Sequence, residues 1–356
     1  MTASTERVLS SFDSLNNGPS DGGAPDGFLQ LLDMIQCYRV AQPIHVAAVL
    51  GIADLVADVP LSVAEISSRT DTHADSLYRM LRVLACAGIF TELSDRRFGL
   101  TVLGNGLREG GPLRALAMLL GGVHYRAWGD LLETVRTGEP AFPRVFGRPF
   151  LEYLSSEPDL QDVVNRSMTG LMEETIAAMM SSYDFADVNT LVDVGGGQGR
   201  FVRAVLEMHS TVRAIVVDFP PVAAAARKML DGAGVGERAR TVGCDFFTGL
   251  PAGGDVYLLS RILQGLDDQR ARAVLQRCAD VLPPGGRIIV AEMVITSDHS
   301  TLTAGEDLHM MLVTTGGRIR TEQEHGDLLD AAGFRLSRVI PTASTLPFTM
   351  IEGVRL

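Results

Sequence analysis

Between residues 191 and 261 short apolar runs recur, each closing on a polar or glycine-rich tip. The first, Leu191-Val192-Asp193-Val194, enters Gly195-Gly196-Gly197-Gln198-Gly199 and then a helical pattern from Arg200 to Leu206. The second, Ala214-Ile215-Val216-Val217-Asp218, ends on a carboxylate, and the third, Ala239–Gly243, runs through Cys244 into Asp245-Phe246-Phe247. The fourth, Asp255–Leu259, ends on Ser260-Arg261. Apolar runs alternating with helical periodicity through Val294 predict βα units in a parallel sheet. Gly285-Gly286 precedes a further strand, Arg287–Glu292, and the tail changes pattern. Residues 334–340 and 349–354 are strand-like with no helix between them, which predicts a terminal hairpin.

The N-terminal part reads differently. Residues 1–26 are rich in Ser, Asn, Asp, Gly and Pro and are expected to form a disordered leader. Phe28 to Val56 has helical spacing punctuated by Pro43 and Gly51. Residues 61–101 have a winged-helix pattern: Ser62 with Glu65 makes a capping-box spacing, a second helix covers Ala74–Ala87, and Gly88–Thr91 leads to a wing around Ser94–Arg97. Residues 112–185 are mainly helical, with methionines at helical spacing between Asn165 and Met180. The division this predicts is a leader (1–26), a winged-helix module (27–111), a helical connection (112–185) and an α/β domain (186–356).

Composition narrows the function. A length of 356 residues favours two domains, and 46% hydrophobic content is globular. No apolar run reaches a membrane span of about 20 residues, and no secretory signal opens the chain, so a cytoplasmic protein is expected. Cys37, Cys86, Cys244 and Cys278 are scattered, which predicts buried reduced thiols and no metal site. The winged-helix pattern raises DNA binding, but the candidate recognition helix Asp75–Arg82 has two arginines in a chain of net charge −12. DNA binding needs several phosphate-neutralising cations, so nucleic acid is disfavoured.

The glycines at 195, 197 and 199 admit tight backbone turns and close ligand approach, and such a turn between strand and helix suits a nucleotide-like ligand. Asp218 lies 25 residues beyond Asp193 and suits a ribose diol. An aromatic ring at Phe246 can cover an adenine while the Asp245 carboxylate accepts its amine. Together these residues resemble the S-adenosylmethionine site of class I small-molecule O-methyltransferases of plant phenylpropanoid and bacterial polyketide pathways. The resemblance runs from about Gly27 to the end and implies a Rossmann-like domain, mostly parallel with an antiparallel C-terminal hairpin. Nicotinamide dehydrogenases generally lack that hairpin. Before it the resemblance implies a mainly helical winged-helix dimerisation domain, hence a homodimer. By the same resemblance Asp193, Gly195 and Gly197 hold the methionine part, Asp218 the ribose, and Asp245 and Phe246 the adenine. Ser260 and Arg261 line the cofactor cleft, while Trp128, Phe150, Met168, Met172 and Met311 are candidates for the acceptor pocket.

The catalytic positions depart from the family. Gln264 stands where the family's His-Asp-Trp-x-Asp pattern has its histidine, and an amide is no base. Glu292 matches one supporting glutamate, but the other, in Gly-Gly-Lys-Glu-Arg-Thr, is Ile319 in Gly316-Gly317-Arg318-Ile319-Arg320-Thr321. Three readings follow. A methyltransferase could work by proximity and orientation, with Gln264 orienting the acceptor; positioning can supply about 7–11 kcal/mol, against roughly 10²–10⁴-fold from a general base. His309 or His124 could be the base instead. The fold could also keep the cofactor for a non-methylating hydroxylation or cyclisation. Methyl transfer to a small-molecule secondary metabolite by orientation is the expectation, with a winged-helix regulator the least favoured reading.

Overall fold

The computed structural model describes residues 24–297, 300–344 and 346–356, with the side chains of 24–26 and Leu171 left aside. The chain forms two compact units. The first takes the described residues up to Leu131 together with Phe150–Met172; the second takes Leu132–Pro149 and Glu173–Leu356. Residues 112–185 are thus shared between the units.

In the first unit the helix Ala24–Gln36 begins inside the stretch expected as leader, with Pro25 in the first turn, where a missing N–H removes no helical bond. Residues 1–23 of that leader lie outside the described residues. The helices Tyr38–Val49 and Ile52–Leu55 follow, separated by Gly51 in a left-handed conformation (φ +64). The capping box is present: Ser62 accepts the Glu65 N–H at 3.3 Å, and the Glu65 carboxylate accepts the Ser62 N–H at 2.8 Å. The helix Ala74–Cys86 buries Leu77, Leu81 and Leu84 along one face. Strands β1 (Leu61–Ser62), β2 (Phe90–Leu93) and β3 (Arg97–Leu100) make the wing sheet in the order β1-β3-β2. Two cations at this module stack on Tyr78: Arg96 lies 4.4 Å and Arg82 5.6 Å from its ring centre.

The second unit is built on strands β4 (Thr190–Val194), β5 (Arg213–Asp218), β6 (Ala239–Gly243), β7 (Val256–Ser260), β8 (Arg287–Ile295), β10 (Phe334–Pro341) and β11 (Phe348–Arg355), with the short β9 (Arg320–Thr321) beside β8. Their order is β10-β11-β8-β7-β4-β5-β6. The strands from β8 to β6 are parallel, and β11 enters antiparallel between β8 and β10, completing the expected hairpin. Residues 191–194 of β4 are all buried, as a central parallel strand covered on both faces requires. The chain runs outward from β4 through β5 and β6, then returns to the other side of β4 with β7. That reversal places a crevice at the carboxyl end of β4, where ligands bind in open α/β sheets.

One expectation is corrected here. Of the four cysteines, Cys278 is buried in the sheet core and Cys244 is half-buried, but Cys37 and Cys86 are exposed. Both follow apolar helical stretches at positions that face solvent, a placement composition alone does not fix.

Candidate active site

The glycine turn after β4 is set by close contacts. Gly195 (φ +71) donates its N–H to the Val217 carbonyl at 2.7 Å, and a Cβ there would lie 2.4 Å from Ile262 Cδ1. A Cβ on Gly196 would fall 2.6 Å from the Asp193 carboxylate, so this glycine too is required by packing. Gly197 (φ +55) donates to Asp218 Oδ2 at 2.9 Å. Asp218 also accepts the Phe219 N–H at 2.7 Å, so the carboxylate expected to meet a ribose also braces the turn.

Charge is concentrated at this edge. Asp193 is buried, and burial together with the nearby Asp218 carboxylate pushes its pKa up to about 7. Burial raises Asp218 as well, against the two backbone N–H groups it accepts. Beyond β6, Asp245 accepts the Phe247 N–H at 2.9 Å. The Phe246 ring lies 6.4 Å from that of Phe219, and its edge meets the same Gly195 position as Ile262. The structure therefore gathers Asp193, Gly195, Gly197, Asp218 and Phe246 around one turn.

At the end of β7, Ser260 Oγ is buried with no hydrogen-bond partner. Arg261 follows in a left-handed conformation (φ +59), its guanidinium 5.4 Å from the Phe348 ring centre. Gln264 sits in the one-turn helix Leu263–Gly265 and is 4% exposed. Its main chain is fixed at both ends: the N–H donates to Glu292 Oε2 at 3.0 Å, and the carbonyl accepts the Arg318 N–H at 2.8 Å. Its side-chain Oε1 is buried and has no partner.

Behind this turn lie Arg320 and His325, which sequence reasoning missed, beside the expected Glu292. Arg320, fully buried, donates to the carbonyls of Leu263 and Leu266, each at 2.8 Å, and to Asp268 at 2.9 Å. Glu292 is buried, which raises its pKa to about 7 despite the Gln264 N–H and the Arg320 and Arg261 cations. His325 Nε2 lies 3.5 Å from Glu292 Oε1 without forming a hydrogen bond. Burial lowers the His325 pKa to about 4, so the contact is a carboxyl against a neutral imidazole. Ile319 packs with Met293 and Phe348, while its N–H donates to Asp307 at 2.7 Å. His309 is buried in the helix Thr301–Val313, and burial lowers its pKa.

The acceptor candidates divide between the units. Trp128, Phe150, Met168 and Met172 belong to the first, all half-buried, with Phe150 edge-on to His124 at 5.1 Å. Met311 belongs to the second, half-buried in the helix that carries His309. Among the described residues no cluster of three metal-ligating side chains occurs.

The profile of the O-methyltransferase domain matches residues 128–335, and that of the O-methyltransferase dimerisation domain matches residues 32–108. A phenazine O-methyltransferase of Lysobacter antibioticus is 43% identical over 89% of this chain and 93% of its own. The structure of a mitomycin 7-O-methyltransferase superposes with a TM-score of 0.86 at 32% identity, covering 93% of this chain and 98% of that one. An O-methyltransferase from neocarzinostatin biosynthesis, solved with S-adenosylmethionine and 2-hydroxy-5-methyl naphthoic acid, superposes with a TM-score of 0.79 at 34% identity over 89% of this chain and 96% of that one.

Proposed function

The chain belongs to the family of S-adenosylmethionine-dependent O-methyltransferases that carry a dimerisation domain, and we propose that it methylates a hydroxyl of a small aromatic secondary metabolite without a side-chain base. The residues at the β4 crevice suit that cofactor: an unpartnered Ser260 hydroxyl, and a glycine turn in which side chains at 195 and 196 would collide with Ile262 and Asp193. Asp193, Gly195 and Gly197 would hold the methionine part, Asp218 the ribose, Asp245 and Phe246 the adenine, and Ser260 a polar edge. The bound cofactor supplies an activated methyl group on a sulfonium.

One observation carries the absence of a base. At the position of the family histidine, Gln264 presents a buried Oε1 that no protein group satisfies. A buried acceptor left unmade costs about 1–3 kcal/mol, and an acceptor hydroxyl donating to it removes that cost while orienting its own oxygen. Glu292 and Arg318 fix the main chain on either side, so the amide is aimed by the backbone. Positioning of this kind is worth about 7–11 kcal/mol, more than the roughly 10²–10⁴-fold of a general base. The aromatic class of acceptor is supported by the phenazine and naphthoic acid chemistry of the relatives.

The first unit supports a homodimer. Its helix Ala24–Gln36 exposes Phe28 at 69%, Leu31 at 59% and Ile35 at 62%, and apolar side chains clustered in this way mark an interaction surface. No helix among the described residues is long and apolar enough to cross a membrane.

Incubation with methyl-labelled cofactor and a panel of hydroxynaphthoates and hydroxyphenazines tests the reading. Labelled product with one S-adenosylhomocysteine per turnover is expected. Conversion of an acceptor without that by-product would replace it with the hydroxylase or cyclase alternative.

A further inference from the structure

Arg261 is the one L-residue of the second unit, among those described, with a left-handed backbone (φ +59). L side chains take that conformation against a steric penalty, and residues held there cluster at functional sites. It stands directly after β7, in the Ser260–Gln264 segment, with the unpartnered Ser260 hydroxyl before it and the unpartnered side-chain Oε1 of Gln264 beyond it.

The side chain is unusual as well. The half-buried guanidinium stacks on Phe348 and makes no side-chain hydrogen bond or ion pair among the described residues. Phe348 is backed by Ile319 and Met293, so the family's glutamate position contributes only a hydrocarbon here. The charged groups that face the arginine are Glu306, on the helix that also carries His309, and Glu292 on β8. Glu292 is already engaged by the Gln264 N–H and lies within the field of Arg320. An arginine cannot shed its proton, and its fork of donors is costly to shield from water with no acceptor in place. Such a group calls for an anionic ligand.

We propose that Arg261 stabilises the acceptor as its oxyanion, so that the acceptor ionises ahead of methyl transfer and no general base is needed. This rests on the methyltransferase reading above and names the group that activates its nucleophile. The acceptor O–H bond breaks first, its proton goes to solvent water, and the electron pair stays on the oxygen. An opposite charge close by lowers a pKa by about 1–3 units. For a phenol of pKa about 10, that raises the ionised fraction at pH 7 by roughly 10- to 1,000-fold, which overlaps the 10²–10⁴ a base contributes. Gln264 orients the neutral hydroxyl as it docks, and the arginine holds the oxygen once its proton has left.

The test compares Arg261→Met, Arg261→Lys and Glu306→Gln with the parent protein. The pH dependence of kcat at saturating hydroxynaphthoate, which reports ionisation in the bound complex, is measured, with calorimetric titration of S-adenosylhomocysteine alongside. Arg261→Met is expected to move the midpoint of the acid limb up by about 1–3 pH units, with a matching 10- to 1,000-fold loss at pH 7. Arg261→Lys should recover part of that shift, and Glu306→Gln, which removes an opposing charge, should move the midpoint down. S-Adenosylhomocysteine affinity should hold for Glu306→Gln, and in the Arg261 variants any change in it should not track the midpoint shift. A uniform loss of activity with an unmoved midpoint would make Arg261 a strut and overturn the proposal. Weakened S-adenosylhomocysteine binding with an unmoved midpoint would assign the guanidinium to the cofactor's carboxylate instead. Absence of methylation in the parent protein would overturn the methyltransferase reading itself, whereas methylation with an unmoved midpoint overturns only the role of Arg261.

Discussion

Glu292 Oε2 accepts the backbone N–H of Gln264 at 3.0 Å, so a buried carboxylate fixes the main chain of the turn whose side chain has no partner. The two residues lie 28 apart in sequence, Glu292 within β8 and Gln264 in the one-turn helix after β7. One anchors the turn, and the other is the group proposed above to meet the acceptor.

Because Gln264 Oε1 is buried and unsatisfied, its replacement should separate stability from activity. Gln264→Leu is expected to leave the thermal midpoint unchanged or higher, since a lone buried acceptor disappears. The kcat/KM for the acceptor should fall up to about tenfold, the worth of one hydrogen bond of roughly 1.4 kcal/mol. Gln264→His should keep or raise activity. A drop in both stability and activity for the leucine variant would show that the amide is already satisfied by the protein.

Gly196→Ala should abolish or strongly weaken cofactor uptake, because its Cβ would lie 2.6 Å from the Asp193 carboxylate. Either the turn or the carboxylate must move. Calorimetry with S-adenosylhomocysteine measures this directly, and undiminished affinity would show that the turn absorbs a methyl group.

Three buried groups give stability a signed pH dependence. Asp193 and Glu292 have folded pKa values near 7, above their ordinary 3.8 and 4.5, so their contribution is present at low pH and lost as pH rises through about 7. His325 is depressed from 6.5 to about 4, so its contribution is present above pH 6.5 and lost as pH falls toward 4. Below 6.5 the two trends oppose each other; above it only the carboxyl groups still titrate. The denaturation midpoint of the cofactor-free protein should therefore decline between about pH 6.5 and 8, and Asp193→Asn should flatten that decline. A midpoint that climbs across this interval would contradict the burial of the two acids.

Burial lowers the His309 pKa, with the Glu306 charge opposing it. On the base-free reading proposed above, His309→Gln should preserve the acid limb of the pH–rate profile. Loss of that limb would make His309 the base.

Much of this arrangement was legible beforehand because it is local. Leu191–Gly199 shows strand, turn and helix in consecutive residues, and the closing hairpin follows from two apolar runs with no helix between them. The capping box needs only Ser62 and Glu65 at the right spacing. What escaped notice depends on distant contacts. Gly196 looks like any glycine until the Asp193 side chain folds over it. His325 follows Glu324 in a helix, and nothing nearby announces that it will face Glu292. The sharing of residues 112–185 between two units is likewise hidden, since helical periodicity shows that a face is buried but not which core buries it.

Arg320, fully buried, reaches the carbonyls of Leu263 and Leu266 and the carboxylate of Asp268. A mutational scan scored by turnover alone would rank it among the reacting groups, because losing it would let the Gln264 amide wander. Engineers retargeting this enzyme toward new acceptors should leave that guanidinium alone.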